Sequence, residues 1–330
     1  MLKKVNLSSV GLIIIILIAL LAGFISGRLR SKNQDSEPTP SQESHQSGYK
    51  YISPLLSCSD TKLSGLDDYG LKDNITSLID KKINGGEVNY LSLYFRDLNN
   101  GPWIGINEDE KFSPASLLKV PLMMAYLKLA ENDPGILERK IKIEESMTQS
   151  FPQNIIPEKK IVSQQEYPVE ELIASMIKYS DNTAANALLN NIPAKDLGKI
   201  YSDLSIKLPG TDDQENFMTV RDYSAFFRVL YNASYLNREM SEKALSLLTT
   251  STFNNGLVAG LPVDTTVAHK FGERVLPNAK QLHDCGIVYH RQKNYLICIM
   301  TRGDDFTKME NTIKDLAALI YKNFITEDHD

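Results

Sequence analysis

The chain has few of the residues that define metalloproteins and disulfide-rich proteins. Its 330 residues include only 3 cysteines and 5 histidines, and they form neither an HExxH nor a CxxC pattern. Three cysteines are too few for a disulfide scaffold, and metal sites need closely spaced ligands. We therefore expect no metal and no other cofactor.

The chain also lacks a large excess of charge of either sign. The 36 basic and 41 acidic side chains leave a net charge of −5, and lysine and arginine form no stripe along the sequence. Nucleic-acid binding needs a basic surface for the phosphates, so we expect no nucleic-acid partner. A hydrophobic content of 42% excludes a mainly disordered chain.

Only one long apolar run is present, which excludes a protein with several membrane spans. The run extends from Val10 to Ile25, with basic residues before and after it. It predicts that residues 1–30 are an uncleaved, single-span membrane anchor. A cleaved signal peptide is the alternative, although no A-x-A-like cleavage site follows the run.

The next segment has no aliphatic or aromatic side chain between Ser31 and Gly48. Such a composition cannot bury enough apolar surface to fold. Residues 31–48 are therefore predicted to be a disordered polar tether, and residues 49–330 a single globular domain, which we expect to be monomeric.

The hydrophobic periodicity of this domain changes twice along the chain. Helical and strand-like patterns come first, then a long helical block, and then strands and a closing helix. This order predicts an α/β layer built from both ends of the domain, with an all-α region inserted between them. Helices are predicted at Gly70–Ile83, Pro114–Ala130, Val169–Leu189 (with a polar break), Val220–Tyr231, Glu242–Thr249 and 309–324, and strands at Val88–Asp97, Trp103–Ile106, Thr265–Phe271, Asp284–Tyr289 and Tyr295–Thr301.

The first motif that indicates chemistry is Ser116-Leu117-Leu118-Lys119. On a helix, residues three apart share a face, so Lys119 would lie beside the Ser116 hydroxyl and could act as its base. The same spacing recurs at Ser47/Lys50, Ser59/Lys62 and Ser175/Lys178. Only Ser116 opens a strongly apolar helix, and Ser113 and Pro114 resemble its N-cap and first turn.

Two further motifs follow in the chain. Ser180-Asp181-Asn182 breaks a helical stretch, and by itself it is typical of a helix N-cap. Lys270-Phe271-Gly272 ends a predicted strand, and by itself it carries almost no information.

In this order, and with the flanking sequences Ser180–Asn186 and Gly256–Pro262, the three motifs resemble the serine penicillin-recognising enzymes. Within them, the resemblance is to the class A β-lactamase-like group, and it spans roughly residues 70–325. It implies an α/β (α+β) fold with a five-stranded antiparallel sheet. Helices from both ends of the domain would flank this sheet, with an all-α lobe inserted.

The resemblance also implies a role for each residue that matches a motif. Ser116 would be the acylated nucleophile, Lys119 the base or proton relay, and Ser180 the relay to the leaving nitrogen. For substrate binding it implies that Asn182 bonds the substrate amide and that Lys270 supplies positive potential and helps bind the substrate carboxylate. Phe271 and Gly272 would continue the family's active-site strand, and the backbone N–H groups of Ser116 and Glu273 would form the oxyanion hole.

The sequence departs from the family pattern at two places. Phe271 replaces the hydroxyl residue that would help hold a substrate carboxylate, and Arg274, Arg291 and Lys280 are candidates for compensating charge. The stretch from Lys207 to Asn216 is short and shows no match to the glutamate motif that activates the deacylating water. Its carboxylates, Asp212, Asp213 and Glu215, are interpreted as solvated loop acids.

Two cysteines flank a predicted hairpin. If Arg291 and Gln292 form its turn, Cys285 and Cys298 face each other. We favour two buried thiols here, with a disulfide as the alternative.

Three functions remain open at this stage. The first is a membrane-tethered extracytoplasmic hydrolase of β-lactams with slow deacylation. The second is a D-Ala-D-Ala carboxypeptidase or related penicillin-binding protein that acts on peptidoglycan stem peptides. The third is a binding module without turnover, and the complete set of catalytic motifs argues against it.

Overall fold

The structure is a computed structural model and describes residues 43–57, 70–148, 153–208, 215–291 and 293–326. The predicted anchor and most of the predicted tether lie outside these residues. Within the described ranges, no helix is both long enough and apolar enough to cross a membrane.

Helices make up most of the middle of the chain. In the described residues the α-helices are α1 (Leu71–Asn84), α2 (Lys119–Ala130), α3 (Val169–Lys178), α4 (Asn182–Asn190), α5 (Ala194–Asp203), α6 (Val220–Tyr231), α7 (Arg238–Leu248) and α8 (Phe306–Thr326). Short 3₁₀ turns are present at Ala115–Leu118, Pro134–Leu137, Glu145–Thr148 and Val258–Gly260.

All strand pairings in the described residues are antiparallel, and several join strands that are neighbours in the sequence. They are β1 (Ser44–His45), β2 (Leu55–Ser57), β3 (Tyr90–Asp97), β4 (Trp103–Ile106), β5 (Lys111–Phe112), β6 (Lys140–Lys142), β7 (Glu166–Pro168), β8 (Met218–Thr219), β9 (Thr266–Leu276), β10 (Ala279–Tyr289) and β11 (Tyr295–Gly303). The main sheet has the order β4-β3-β11-β10-β9, and every pairing in it is antiparallel. The predicted five-stranded antiparallel sheet is confirmed.

The sheet is buried on both faces because helices cover each of them. Alternate residues of a strand point to opposite faces. On β11, Leu296, Cys298 and Met300 pack with the helical lobe formed by α2 to α7. Ile297 and Ile299 pack instead with α1 and α8, which come from the two ends of the domain. The predicted insertion of an all-α lobe between the two halves of the sheet is therefore also confirmed.

Helix α2 lies at the centre of the helical lobe. Every residue from Lys119 to Leu127 is buried. A helix that is apolar around its whole circumference is buried on all sides. This position fixes Lys119, at the start of α2, inside the protein.

The described part of the predicted tether contacts the domain. Ser44–His45 pairs with β2, and the Glu43 carboxylate accepts a hydrogen bond of 2.7 Å from Arg96 on β3. The side chain of His45 bonds to the carbonyl of Ser53 at 2.7 Å. Residues 43–45 therefore have partners on the domain that their composition did not predict.

Several elements differ from the sequence prediction, and three of them bear on the site or the core. Strand β9 extends to Leu276, and strand β10 already begins at Ala279. Each strand of this hairpin is therefore longer than predicted. Their polar residues, such as Glu273 and Gln281, find partners inside the fold and do not end the strands. Helix α5 was not predicted, although Ile200 and Tyr201 bury its apolar face.

The register of the second hairpin is the predicted one, and Cys285 lies opposite Cys298. The preference for two free thiols is wrong, because the two residues form a disulfide. Directly opposed residues of antiparallel strands are close enough for their side chains to meet. The bridge joins β10 to β11 on the face covered by the helical lobe.

Candidate active site

Ser116 lies on a 3₁₀ turn that leads directly into α2. The preceding residue, Ala115, has φ 48°, a left-handed conformation that is uncommon for a residue with a side chain. Ser113 is not the predicted N-cap of a helix, and its backbone N–H donates to Gln281 at 2.9 Å. Side chains of the sheet therefore hold the turn that presents Ser116.

The Lys119 amine lies at the centre of the cluster. Its Nζ is 2.6 Å from the Ser180 carbonyl oxygen and 2.7 Å from Asn182 Oδ1, two atoms that can only accept. The hydroxyl oxygens of Ser116 and Ser180 are each 3.1 Å away. A neutral amine that donates to the two acceptors therefore keeps its lone pair for a serine proton.

Burial makes this neutral form accessible. Lys119 is only 5% exposed. Burial lowers its pKa to about 7, although the charges of Asp181 and Glu273 favour the protonated amine. A base with this pKa is suited to general-base catalysis at neutral pH.

Ser180 joins the two lysines of the site. Its Oγ is 3.1 Å from Lys119 Nζ and accepts a hydrogen bond of 2.9 Å from Lys270 Nζ. Ser180 has φ 56°, and strained backbone of this kind is typical of functional sites. The next residue, Asp181, caps α4 by accepting from the N–H of Ala184 at 2.8 Å. The N-cap interpretation and the catalytic one therefore both hold for this motif.

Lys270 is fully buried on β9 and faces the helical lobe. Besides Ser180, its Nζ donates to the carbonyl oxygen of Phe271 at 2.9 Å. Burial, together with the positive charge of Lys119, holds its pKa well below the ordinary value for lysine. A charge on Lys119 therefore disfavours a second charge on Lys270, so a neutral amine is available on one side of Ser180.

Gly272 allows β9 to run directly against the Ser116 turn. A Cβ at this position would lie 2.8 Å from the carbonyl oxygen of Pro114 and 3.2 Å from the backbone nitrogen of Leu117. Such distances are too short for any side chain, so only glycine permits the approach. This approach brings β9 against the turn that carries Ser116, and the oxyanion hole of Ser116 and Glu273 stays a prediction.

The Phe271 ring packs with the core on the α1 and α8 side of the sheet, and Lys270 Nζ lies 4.1 Å from its centroid. The ring is 3% exposed and stacks on Phe253 with a centroid distance of 4.3 Å. A buried phenyl ring supplies no hydrogen-bond donor for a substrate carboxylate. The role of Phe271 in substrate binding stays a prediction.

Two of the three candidate compensating charges have partners of their own. Arg274 forms an ion pair with Glu215, and Lys280 lies over the ring of Phe306. Arg291 follows the end of β10, several residues beyond Cys285, the partner of Lys270 in the sheet. Of the three loop acids, Glu215 is thus paired, whereas Asp212 and Asp213 lie outside the described residues.

The Glu273 side chain makes contacts that the sequence did not indicate. Its Oε1 accepts a hydrogen bond of 2.8 Å from the N–H of Ile155, in a loop of the helical lobe. Its Oε2 is buried and has no hydrogen-bond partner among the described residues. Burial raises the pKa of this carboxyl, although hydrogen bonds from the backbone of residues 155 and 154 oppose the shift.

Two residues of β10 support the nucleophile without belonging to any of the three motifs. His283 is fully buried, and its Nε2 bonds to the Ser113 carbonyl at 2.9 Å while its Nδ1 accepts from the N–H of Thr301 at 3.3 Å. Burial lowers the pKa of His283 to about 4. Gln281 holds the other side of Ser113. Polar residues at alternate positions of a buried strand were the sequence signal that could have identified them.

The structure thus brings together the five polar side chains that the motifs nominate: Ser116, Lys119, Ser180, Asn182 and Lys270. Comparison with known proteins is consistent with this arrangement. Residues 70–324 match the profile of the Beta-lactamase enzyme family. The β-lactamase VEB-1 of Pseudomonas aeruginosa is 24% identical over 286 residues, which cover 77% of this chain and 92% of that protein.

Solved structures with the same fold include both β-lactamases and a penicillin-binding protein. A class A β-lactamase from Mycobacterium abscessus has a TM-score of 0.65 and 22% identity, covering 77% of this chain and 99% of its own. The structure of PBP-A has a TM-score of 0.65 and 20% identity, covering 77% and 96%. A variant of PBP-A has been solved as an acyl-enzyme complex with penicillin G.

Proposed function

The chain belongs to the Beta-lactamase enzyme family, and on this basis we propose that it is a serine hydrolase that is acylated on Ser116 by β-lactams and hydrolyses their amide bond. The observation that carries the proposal is the Lys119 amine, buried, with a pKa of about 7 and 3.1 Å from Ser116 Oγ. A serine needs such a base to become a nucleophile.

Acylation follows from the geometry of this cluster. Neutral Lys119 takes the Ser116 proton as Oγ attacks the carbonyl carbon, and the backbone N–H groups of Ser116 and Glu273 stabilise the oxyanion. Collapse of the tetrahedral intermediate breaks the C–N bond. Ser180 then gives its proton to the leaving nitrogen and regains one from Lys119 or Lys270, the two amines at 3.1 and 2.9 Å from its Oγ.

We propose that deacylation is the slow step. The stretch from Lys207 to Asn216 shows no match to the water-activating glutamate of class A enzymes, and the one described acid in it, Glu215, is paired with Arg274. Loss of a general base costs about 10²–10⁴-fold in rate. The acyl-enzyme on Ser116 is therefore expected to accumulate.

The same observation favours a second candidate function, a D-Ala-D-Ala carboxypeptidase that β-lactams trap. An enzyme that forms an acyl-enzyme readily but hydrolyses it slowly behaves as a penicillin-binding protein towards penicillin. A peptide ending in D-Ala-D-Ala distinguishes the two candidates, because only the carboxypeptidase releases D-alanine from it.

We also propose that the catalytic domain lies outside the cytoplasmic membrane, held by a single span at Val10–Ile25. The apolar run and its flanking basic residues support this proposal. The substrates of both candidate functions are extracytoplasmic as well.

Intact mass spectrometry with a chromogenic cephalosporin tests the proposed chemistry. The wild-type protein is expected to gain the mass of one acyl group and to release a stoichiometric burst of product before a slow steady state. Ser116→Ala should gain no mass. Ser47→Ala is the matched control, because Ser47 and Lys50 have the same spacing, and it should behave as wild type. Labelling of Ser116→Ala would refute the site assignment.

A further inference from the structure

One loop of the helical lobe reaches across the site to the sheet. We call residues 153–161 the flap. Both of its ends are bound on the helical side, where Gln153 Nε2 donates to the Ser180 carbonyl at 3.4 Å and the N–H of Ile161 donates to Asp181 at 2.9 Å. Between these two anchors the flap leaves the helical lobe.

The middle of the flap contacts β9. The N–H of Ile155 donates to the Glu273 carboxylate at 2.8 Å, and the Ile155 side chain packs against the core on the sheet side. The next residue, Ile156, is 72% exposed. Ser180 belongs to the helical lobe and residue 273 to β9, and we call the boundary between these two parts, where Ser116 lies, the cleft. Residues 153–155 cross it, because Gln153 contacts Ser180 and Ile155 contacts Glu273.

Glu273 makes this contact at an energetic cost. Its Oε2 is buried without a hydrogen-bond partner among the described residues, and an unpaired buried carboxylate oxygen destabilises the fold. A neutral or small side chain at this position would avoid that cost. The positive charges of Lys119 and Lys270 act on this carboxylate and offset part of the cost. The direct hydrogen bond that the carboxylate makes is the one to the flap.

We propose that the Glu273 side chain is a specificity-determining group: it holds residues 153–155 across the cleft and thereby limits the size of the acyl donors that reach Ser116. An acyl donor with a bulky side chain must break the hydrogen bonds to this carboxylate, whereas a small acyl donor passes beneath the flap. The inference rests on the proposed function, because it concerns access to the acylated serine.

The side chain can be changed without removing the predicted oxyanion hole, which uses only the backbone N–H of residue 273. Glu273→Ala removes both carboxylate oxygens. Glu273→Gln keeps its shape and one acceptor oxygen, and it serves if the alanine variant is unstable. Glu310→Gln is the matched control, because the Glu310 charge acts on Glu273 while its described hydrogen bond is to Asn255.

The experiment measures acylation of the purified full chain by two penicillins with the same nucleus. One carries a large fluorophore on its side chain, and the other, 6-aminopenicillanic acid, carries only an amine. Intact mass gives both acylation rate constants. We expect Glu273→Ala to raise the ratio of the two acylation rate constants, large penicillin over small penicillin, about tenfold. This is the effect of one hydrogen bond to a charged group. Glu273→Gln should raise it less, and Glu310→Gln should leave it unchanged.

Amide hydrogen exchange provides a readout that does not depend on activity. The Ile155 amide should exchange about tenfold faster in Glu273→Ala than in the wild type, because its acceptor has been removed. If Ser116 is still acylated, an unchanged ratio of the two acylation rate constants, or an unchanged exchange rate at Ile155, would overturn the inference. Failure of both penicillins to acylate the wild type and every variant would instead refute the proposed function, and with it the inference.

Discussion

At the scale of single residues, the chemistry of this protein depends on the low pKa of Lys119. A lysine in water is protonated at neutral pH and cannot take a proton from serine. Burial in α2 removes the solvation that would stabilise the charge, and the second buried amine, Lys270, lies on the other side of Ser180. The neighbouring carboxylates of Asp181 and Glu273 only partly offset this effect.

A pH profile of acylation tests this account of Lys119. The pKa of about 7 means that the amine is neutral above pH 7 and increasingly protonated below it. The acylation rate constant should therefore fall about tenfold per pH unit below 7 and reach a plateau above it. Stopped-flow labelling with a fluorescent penicillin between pH 5 and pH 9 measures this rate constant.

Two variants, one of the proposed base and one control, accompany that measurement. Lys119→Ala should slow acylation by about 10²–10⁴-fold at every pH. Lys128→Ala, which removes an amine at the other end of α2, should keep the wild-type profile. A flat profile in the wild type would show that another group is the base.

At the scale of elements, the site depends on how closely β9 approaches the turn before α2. The approach is possible because residue 272 has no side chain, and it places the backbone of β9 beside Leu117. From the other side, His283 and Gln281 of β10 hold the carbonyl and the N–H of Ser113. One hairpin thus contacts the nucleophile turn on two sides.

Gly272→Ala should push β9 away from this turn. The added Cβ would lie 2.8 Å from a backbone oxygen that cannot rotate away. We expect a loss of about 1–3 kcal/mol in the free energy of unfolding and a larger loss in acylation rate than in stability. Urea unfolding and penicillin labelling measure the two effects.

Gly303→Ala is the control for that change. A Cβ there would meet its nearest atom, Met309 Cγ, at an ordinary contact distance of 3.4 Å. It should cost less than about 1 kcal/mol and leave acylation unchanged. Equal effects of the two substitutions would contradict the role assigned to Gly272.

His283 should make stability depend on pH. Its pKa is about 4 in the fold, below the ordinary value of 6.5. Between these values the unfolded chain binds a proton that the native state does not, so stability falls as pH decreases from 6.5 to 4. The loss from this group should reach about 3 kcal/mol.

Denaturant unfolding at pH 7 and pH 5 measures that loss. His283→Gln cannot titrate, and it should lose less stability than the wild type over this interval, by about 2 kcal/mol. Equal losses in the two proteins would mean that His283 is not the group responsible.

At the scale of the whole molecule, the cleft lies where the two halves of the domain meet. The sheet is covered on one face by α1 and α8 and on the other by the helical lobe. Strand β9 is at the edge of the sheet, so its outer side is free to face Ser116 and Ser180. Residues 43–57 contact the same domain through Arg96 and Glu242.

The proposed location is tested on intact cells. Protease added outside should cut the predicted tether and release a fragment that labels with penicillin. We expect the cut N-terminal to Glu43, because that carboxylate is bound to Arg96 and the next residues pair with β2. Complete protection of the domain until the membrane is lysed would mean that it faces the cytoplasm.

The sequence alone determined the fold class, the order of the elements and the five polar residues of the site. The order of the elements followed from local patterns, because periodic apolar residues define helices and strands, and the nearness of Ser116 and Lys119 followed from their spacing on a helix. The position of Cys285 opposite Cys298 followed in the same way from a short hairpin turn, whereas the disulfide between them did not. The five-stranded sheet and the roles of Ser180, Asn182 and Lys270 followed from the resemblance of the three motifs to a known family.

Only the tertiary structure decided the rest, because it depends on contacts between residues distant in sequence. The low pKa of Lys119 comes from burial, the need for glycine at 272 comes from Pro114 and Leu117, and the partners of His283 are Ser113 and Thr301. The contact between Glu273 and Ile155 joins segments 118 residues apart. No local pattern predicts such a contact, since packing of the two lobes brings the partners together.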